Sequence, residues 1–264
     1  MSEADIRVEI RERSSGARVA WVTVDRQDRL NALDTAQARR LAAAFDGLAG
    51  DGALRTVVLT GAGATKAFVG GADLGELGQL DPASARQFIT DLHLACAAIR
   101  ACPVPVIGRI DGYCLGAGLE VAASCDMRAA SDTAVFGMPE VHVGLPSVIE
   151  AALLPGLIGW GRTREILLTG RTFGADEALA MGLVERVAPA AALDGAVDAW
   201  LDAICAAAPQ AVRSQKALIG RWEEVSLQDG ILAGVDALAA AYETDEPRTR
   251  VAAFFEARAA AKRR

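Results

Sequence analysis

Strand-like and helix-like segments alternate through the first two-thirds of the chain, and this alternation restricts the fold more than any other feature. Residues 19–25 (VAWVTVD) form a β-branched apolar run between Gly16 and a polar turn at 26–29. From Thr35 the period changes. Leu41, Phe45 and Leu48 recur at helical spacing, and Gly50-Asp51-Gly52 closes the segment. Residues 56–60 read as a strand, followed by a glycine-rich stretch at 61–71. Asp81-Pro82-Ala83-Ser84 opens a second helix, with Phe88, Leu92, Cys96 and Ile99 on one stripe. A strand at 104–110, a small-residue helix at 118–125 and a strand at 127–130 follow. Such alternation predicts an α/β core. From about Gly174 the strand signals stop. Helices are expected over 175–181, 193–208, 210–222, 227–243 and 248–261, with Pro209 and Pro247 at helix starts. The expected division is a core over 1–190 and a helical region over 191–264.

Composition then removes several functions. The 264 residues suffice for one large domain with a sizeable core. Asp and Glu total 34 against 27 Lys and Arg, a net charge of -7, which argues against nucleic acid as the main partner. His93 and His142 are the only histidines and lie in no ligand spacing, so no metal site is expected and acid–base work falls to the carboxylates. Cys96, Cys102, Cys114, Cys125 and Cys205 are odd in number and form no C-x-x-C pair, so they read as reduced core thiols. The N-terminus lacks a basic-then-apolar leader, and no apolar run reaches the roughly 18 residues of a membrane span. A cytoplasmic protein with no membrane partner is expected.

Most nucleotide and hydrolase motifs fail. Gly61-Ala62-Gly63 follows a strand, but the third glycine of a dinucleotide fingerprint would fall at Lys66, and Lys66 is not followed by the Ser or Thr of a P-loop. No G-x-S-x-G elbow occurs. Two glycine-rich turns remain, Ala67-Phe-Val-Gly-Gly-Ala-Asp-Leu74 and Asp111-Gly-Tyr-Cys-Leu-Gly-Ala-Gly-Leu-Glu120. Small residues let the backbone approach a ligand and turn its N–H groups outward. Two such amides converging on a carbonyl make an oxyanion hole, where one donor is worth about 2.7–4 kcal/mol in the transition state.

Two carboxylates accompany these turns. Glu120 lies in a helix too apolar to have a solvent face, and Glu140 follows Phe136-Gly137-Met138-Pro139. Burial raises a carboxyl pKa, and two carboxyls in one pocket resist ionising together, so one serves as base and the other as acid. That pairing suits addition of water across an activated double bond. Asp73 and Asp126 read as turn and cap residues. His93 reads as structural, His142 as a packed or hydrogen-bonded histidine, and Glu150 as a structural or exposed helix residue.

The ordered set Ala67-Phe-x-Gly-Gly-Ala-Asp-Leu74, Gly112-Tyr-x-x-Gly-Ala-Gly-x-Glu120, Cys125-Asp-Met-Arg-x-Ala-Ser131 and Phe136-Gly-Met-Pro-Glu140 resembles the crotonase (enoyl-CoA hydratase/isomerase) superfamily. The likeness extends from Asp25-Arg26 and Leu30-Asn-Ala-Leu33 to Phe255-Glu256-x-Arg258. It implies an α/β fold, a crotonase-like spiral of ββα units, with a helical C-terminal trimerisation or lid region, assembled as a homotrimer or dimer of trimers. The implied substrate is an acyl-CoA thioester of fatty acid metabolism. Its carbonyl oxygen would sit between the amides of Ala72 and Ala117, with Asp73, Leu74, Gly75 and Gly116 completing the substrate-binding set. Glu120 and Glu140 match the two hydratase glutamates, which position and activate water and protonate the α-carbon of a trans-2-enoyl-CoA. No cofactor is implied beyond the coenzyme A that the substrate carries.

The same pocket supports two alternatives: isomerisation, lyase or hydrolase chemistry on an acyl-CoA, or a non-catalytic acyl-CoA- or protein-binding role. Retention of both acids and both donor turns favours hydration. Three departures stand out. Many hydratases follow the second glutamate with P-G-x-G-G-T/S, whereas residues 147–155 here read as helical. Ala117 stands where glycine is frequent. Gly75 and Ala257 stand where relatives often carry lysine, so contacts to the CoA phosphates differ in detail.

Overall fold

Three successive strand–strand–helix units build the middle of the protein, in a computed structural model that describes residues 5–63 and 67–262. They follow an antiparallel pair, β1 (Asp5–Glu12) and β2 (Arg18–Asp25), and helix α1 (Thr35–Ala49), whose N-cap Asp34 accepts from the Gln37 amide. The first unit is β3 (Leu54–Gly61), β4 (Ala67–Val69), the one-turn α2 (Leu74–Leu77) and α3 (Pro82–Ala101). The second is β5 (Val106–Ile110), β6 (Tyr113–Leu115) and α4 (Ala117–Ala123). The third is β7 (Met127–Ser131), β8 (Val135–Gly137) and α5 (Leu154–Thr169). Then come β9 (Thr172–Gly174), α6 (Ala175–Met181), β10 (Arg186–Ala188), α7 (Leu193–Ala206), α8 (Pro209–Glu224), α9 (Leu227–Ala241) and α10 (Glu246–Ala261).

The first strand of each unit enters a six-stranded sheet of order β1-β2-β3-β5-β7-β10, and the second enters a four-stranded sheet of order β4-β6-β8-β9. All pairings are parallel except β1 with β2 and β8 with β9. Each unit therefore advances one place along both sheets, which is a spiral. Both faces of the large sheet are covered, so β3 buries Val57, Val58 and Leu59 in succession rather than alternately. Arg128 locks the third unit, donating to the Leu183 and Cys125 carbonyls and pairing with Glu185. All five cysteines are buried thiols.

The strand inventory from sequence is corrected at seven places, six strands not expected and one boundary. β4, β6, β8, β9 and β10 are three residues each, too short to show a period, and β10 overturns the expectation that strands end near Gly174. β1 did carry a signal, because Ile6, Val8 and Ile10 alternate with charged residues as on an edge strand. β5 begins at Val106 rather than 104, beyond Pro105. By contacts the chain divides into compact units Met1–Leu201 and Asp202–Arg264, and Leu193, Val197 and Leu201 of α7 are buried. The second unit holds α8 to α10. Within it, Trp222 donates to the Gly230 carbonyl, and Glu246 accepts from the Gln210 and Ala211 amides. Among the described residues, no helix is long and apolar enough to cross a membrane. Lys66, the first four residues and Arg263-Arg264 lie outside the described residues.

Candidate active site

Because β4, β6 and β8 are parallel neighbours, their C-terminal ends lie side by side, the usual place for a ligand site in parallel sheets. The chain leaving β4 is Gly70-Gly71-Ala72, that leaving β6 is Gly116-Ala117, and that leaving β8 is Met138-Pro139-Glu140. Ala72, Ala117, Glu120 and Glu140 all line one cavity of about 400 Å³, whose remaining wall is largely apolar, with Leu77, Leu80, Phe88, Ile89 and Leu92.

Neither alanine amide donates to a backbone carbonyl among the described residues. A parallel bridge joins Leu33 to Ala72, in which the Leu33 amide donates to Gly71 O and the Asp73 amide to Leu33 O. It makes no use of the Ala72 N–H. Ala117 is the first residue of α4, and intrahelical bonding begins with the Leu119 and Glu120 amides on Gly116 O. Its own N–H is one of the orphan donors of a helix start.

Glycine is required at two positions here. Gly116 has φ 52 and ψ -122, and a Cβ there would collide with Glu140 Oε1. At Gly118 a Cβ would run into the Val69 carbonyl of the neighbouring β4. Gly116→Ala is expected to lose roughly 1–3 kcal/mol of unfolding free energy in urea titration. An unchanged midpoint would contradict the backbone assignment.

The two carboxyls sit differently. Glu120 is buried in α4 and accepts a 3.2 Å hydrogen bond from the Ala151 amide. Burial pushes its pKa up to about 8; the Ala151 amide opposes the rise, and the charges of Glu140 and Glu150 add to it. Glu140 is partly buried in a 3-10 turn (Pro139–Val143), and Ser147 donates its hydroxyl to Oε2 at 2.9 Å. The site therefore holds a carboxyl whose pKa burial raises to about 8, close enough to feel a second one, with Ala72 and Ala117 on the wall of the same apolar cavity.

The other sequence-predicted residues scatter. Asp73 caps α2 through the Gly75 and Glu76 amides and pairs with Arg26 at 2.7 Å. Leu74 is exposed, and neither it, Gly75 nor Gly116 is among the residues lining the cavity. Asp126 accepts from the Val106 amide at 2.6 Å. His142 donates through Nε2 to the Thr169 carbonyl, away from the carboxyl pair. Residues 147–155 enter a 3-10 turn (Ile149–Leu153) and then α5.

Sequence reasoning missed Asn31, whose side chain accepts from the Arg26 amide and donates to the Ala62 and Ala67 carbonyls, pinning the glycine-rich loop. It also missed Ser147 and the pairing of His93 with Glu150. Asn31 and the His93–Glu150 pair depend on partners distant in the chain, which no local spacing announces, and Ser147 reaches Glu140 only across an irregular turn.

A family model described as Enoyl-CoA hydratase/isomerase matches residues 14–262. The chain is 32% identical over 242 residues to a short-chain-enoyl-CoA hydratase of Clostridium acetobutylicum, covering 91% of this chain and 92% of that one. It is 31% identical to a crotonyl-CoA hydratase of Syntrophomonas wolfei, with 92% and 94% covered. A crystal structure of an enoyl-CoA hydratase from Bacillus anthracis superposes with a TM-score of 0.88 at 30% identity, covering 94% of this chain and 96% of that one. With the ββα spiral and these likenesses along nearly its whole length, the chain belongs to the enoyl-CoA hydratase/isomerase family, the crotonase superfamily.

Proposed function

We propose that the protein is an enoyl-CoA hydratase, a lyase that adds water syn across the double bond of a trans-2-enoyl-CoA. The observation that carries this reading is the pair Glu120 and Glu140 lining one apolar cavity together with Ala72 and Ala117. The thioester oxygen accepts from both amides, which stabilises the enolate that forms as water attacks the β-carbon. The ionised carboxyl takes a proton from that water. The protonated one supplies the proton that reaches the α-carbon, and burial puts the resting proton on Glu120. Hydration is redox-neutral, so the reaction as written requires no electron-carrying cofactor.

The apolar wall of Leu77, Leu80, Phe88 and Ile89 takes the acyl chain. For assembly the same reading gives a homotrimer or dimer of trimers. Its support is the apolar stripe on α9, where Leu227, Ile231, Val235 and Leu238 are exposed, Leu227 by 83%. Turnover of 2-enoyl-, 3-enoyl- and dienoyl-CoA esters tests the activity. Hydration of the 2-enoyl ester is expected. Turnover of the 3-enoyl ester alone would replace the reading with isomerisation, and binding of every ester without turnover would replace it with a carrier role.

A further inference from the structure

The charged group nearest the catalytic pair that the hydration scheme leaves unused is Glu150. Its side chain is 4% exposed. Oε1 lies 2.8 Å from His93 Nδ1 on α3, and Oε2 has no hydrogen-bond partner among the described residues. His93 is half exposed and is the one side chain shown tethering this carboxylate.

The residue on each side of Glu150 is also unusual. Ile149 has φ 37, a left-handed backbone that a β-branched residue rarely adopts. Ala151 shares its amide between the Val148 carbonyl at 2.9 Å and Glu120 Oε1 at 3.2 Å. A strained turn thus holds a buried carboxyl and a hydrogen bond to Glu120 on consecutive residues. Strain of that kind persists only where the surroundings over-determine it, and the His93–Glu150 contact is the side-chain tether at this turn.

We propose that Glu150 and His93 are positioning residues for Glu120: the imidazole anchors the Glu150 carboxylate, which clamps the Ile149–Ala151 turn so that the Ala151 amide meets Glu120 and a second negative charge stays beside it. The inference rests on Glu120 being the proton-handling group of the proposed hydratase. The titratable groups around Glu120 are Glu140 from the 3-10 turn, Glu150 from the strained turn and Cys96 from α3. Cys96 is held well above the usual thiol range by burial first and by Glu150 next, so it remains a neutral neighbour. Glu150 is then the charge outside the catalytic pair that faces Glu120, and it favours the protonated form.

Three variants test this: Glu150→Gln, which keeps shape and removes charge; His93→Ala, which cuts the tether; and His93→Asn, which offers a donor where Nδ1 stood. Steady-state hydration is read for each, and ¹³C-carboxyl NMR follows Glu120 across pH in wild type and Glu150→Gln. The expected results are a kcat loss of about tenfold or more for Glu150→Gln and His93→Ala with KM within about threefold. Recovery toward wild type is expected for His93→Asn. The Glu120 titration should fall by about half a pH unit or more in Glu150→Gln. Kcat within twofold of wild type for both disruptive variants, or an unmoved Glu120 titration, would overturn the proposal. The NMR measurement needs no turnover. A wild type that hydrates no enoyl ester therefore defeats the hydratase reading alone, while the titration still decides this one.

Discussion

Glu120→Gln and Glu140→Gln are each expected to cut hydration of a trans-2-enoyl-CoA by about 100- to 10,000-fold, the usual worth of a positioned acid or base. That corresponds to roughly 2.7–5.5 kcal/mol of transition-state free energy. Affinity for the ester should stay within several-fold of wild type. The amides of Ala72 and Ala117 and the apolar wall belong to other residues, and an amide side chain keeps the shape of the carboxyl. The double variant should be little worse than the poorer single, because each acid is useless without the other. Single-turnover rates and CoA-ester binding by calorimetry separate these effects. Near-normal turnover by both single variants would end the two-carboxyl scheme, and loss confined to one would favour isomerisation.

The second large effect is on pH. Glu120 titrates near 8 in the folded protein against 4.5 for an ordinary glutamate, because burial penalises its charged form. Two consequences follow from the same shift. The pair needs one proton to work, so kcat/KM should fall above about pH 8, by about tenfold per unit once Glu120 ionises.

Stability has a definite sign as well. Between pH 4.5 and 8 the folded state binds a proton that the unfolded state has released, so folding is progressively disfavoured as pH rises through this window. Below 4.5 both states are protonated and the penalty vanishes. Glu120→Gln cannot ionise and escapes it. The variant is expected to match wild type in unfolding free energy near pH 4 and to exceed it by roughly 2–4 kcal/mol at pH 9. Urea titrations of both proteins at the two pH values measure the difference and cancel other titrating groups. A gap that does not widen with pH would mean that Glu120 ionises as freely folded as unfolded.

The fold class was legible because long buried elements leave periodic traces. The Phe88-Leu92-Cys96-Ile99 stripe became α3, and the apolar run at 19–25 became β2. What stayed illegible was short: three-residue strands have no period, and their pairing is set by neighbours tens of residues away. The site divides along the same line. Its two glycine turns and two glutamates were visible because a close backbone approach demands small residues over a fixed local span. Asp73 beside them was better read as a cap, which is where its side chain is used.

By itself, then, the sequence determined the α/β alternation and singled out the glycine turns with Ala72 and Ala117 and the acids Glu120 and Glu140, four residues that the fold places on one cavity. The tertiary structure alone decided that three strand ends converge, that Glu120 is dry enough to keep its proton, and that Ser147, His93 and Glu150 attend the carboxyls. The reason is physical. Small residues and apolar periods act over a few positions and leave a local record. Desolvation and hydrogen bonding between groups 57 residues apart, as for His93 and Glu150, exist only once the chain has closed.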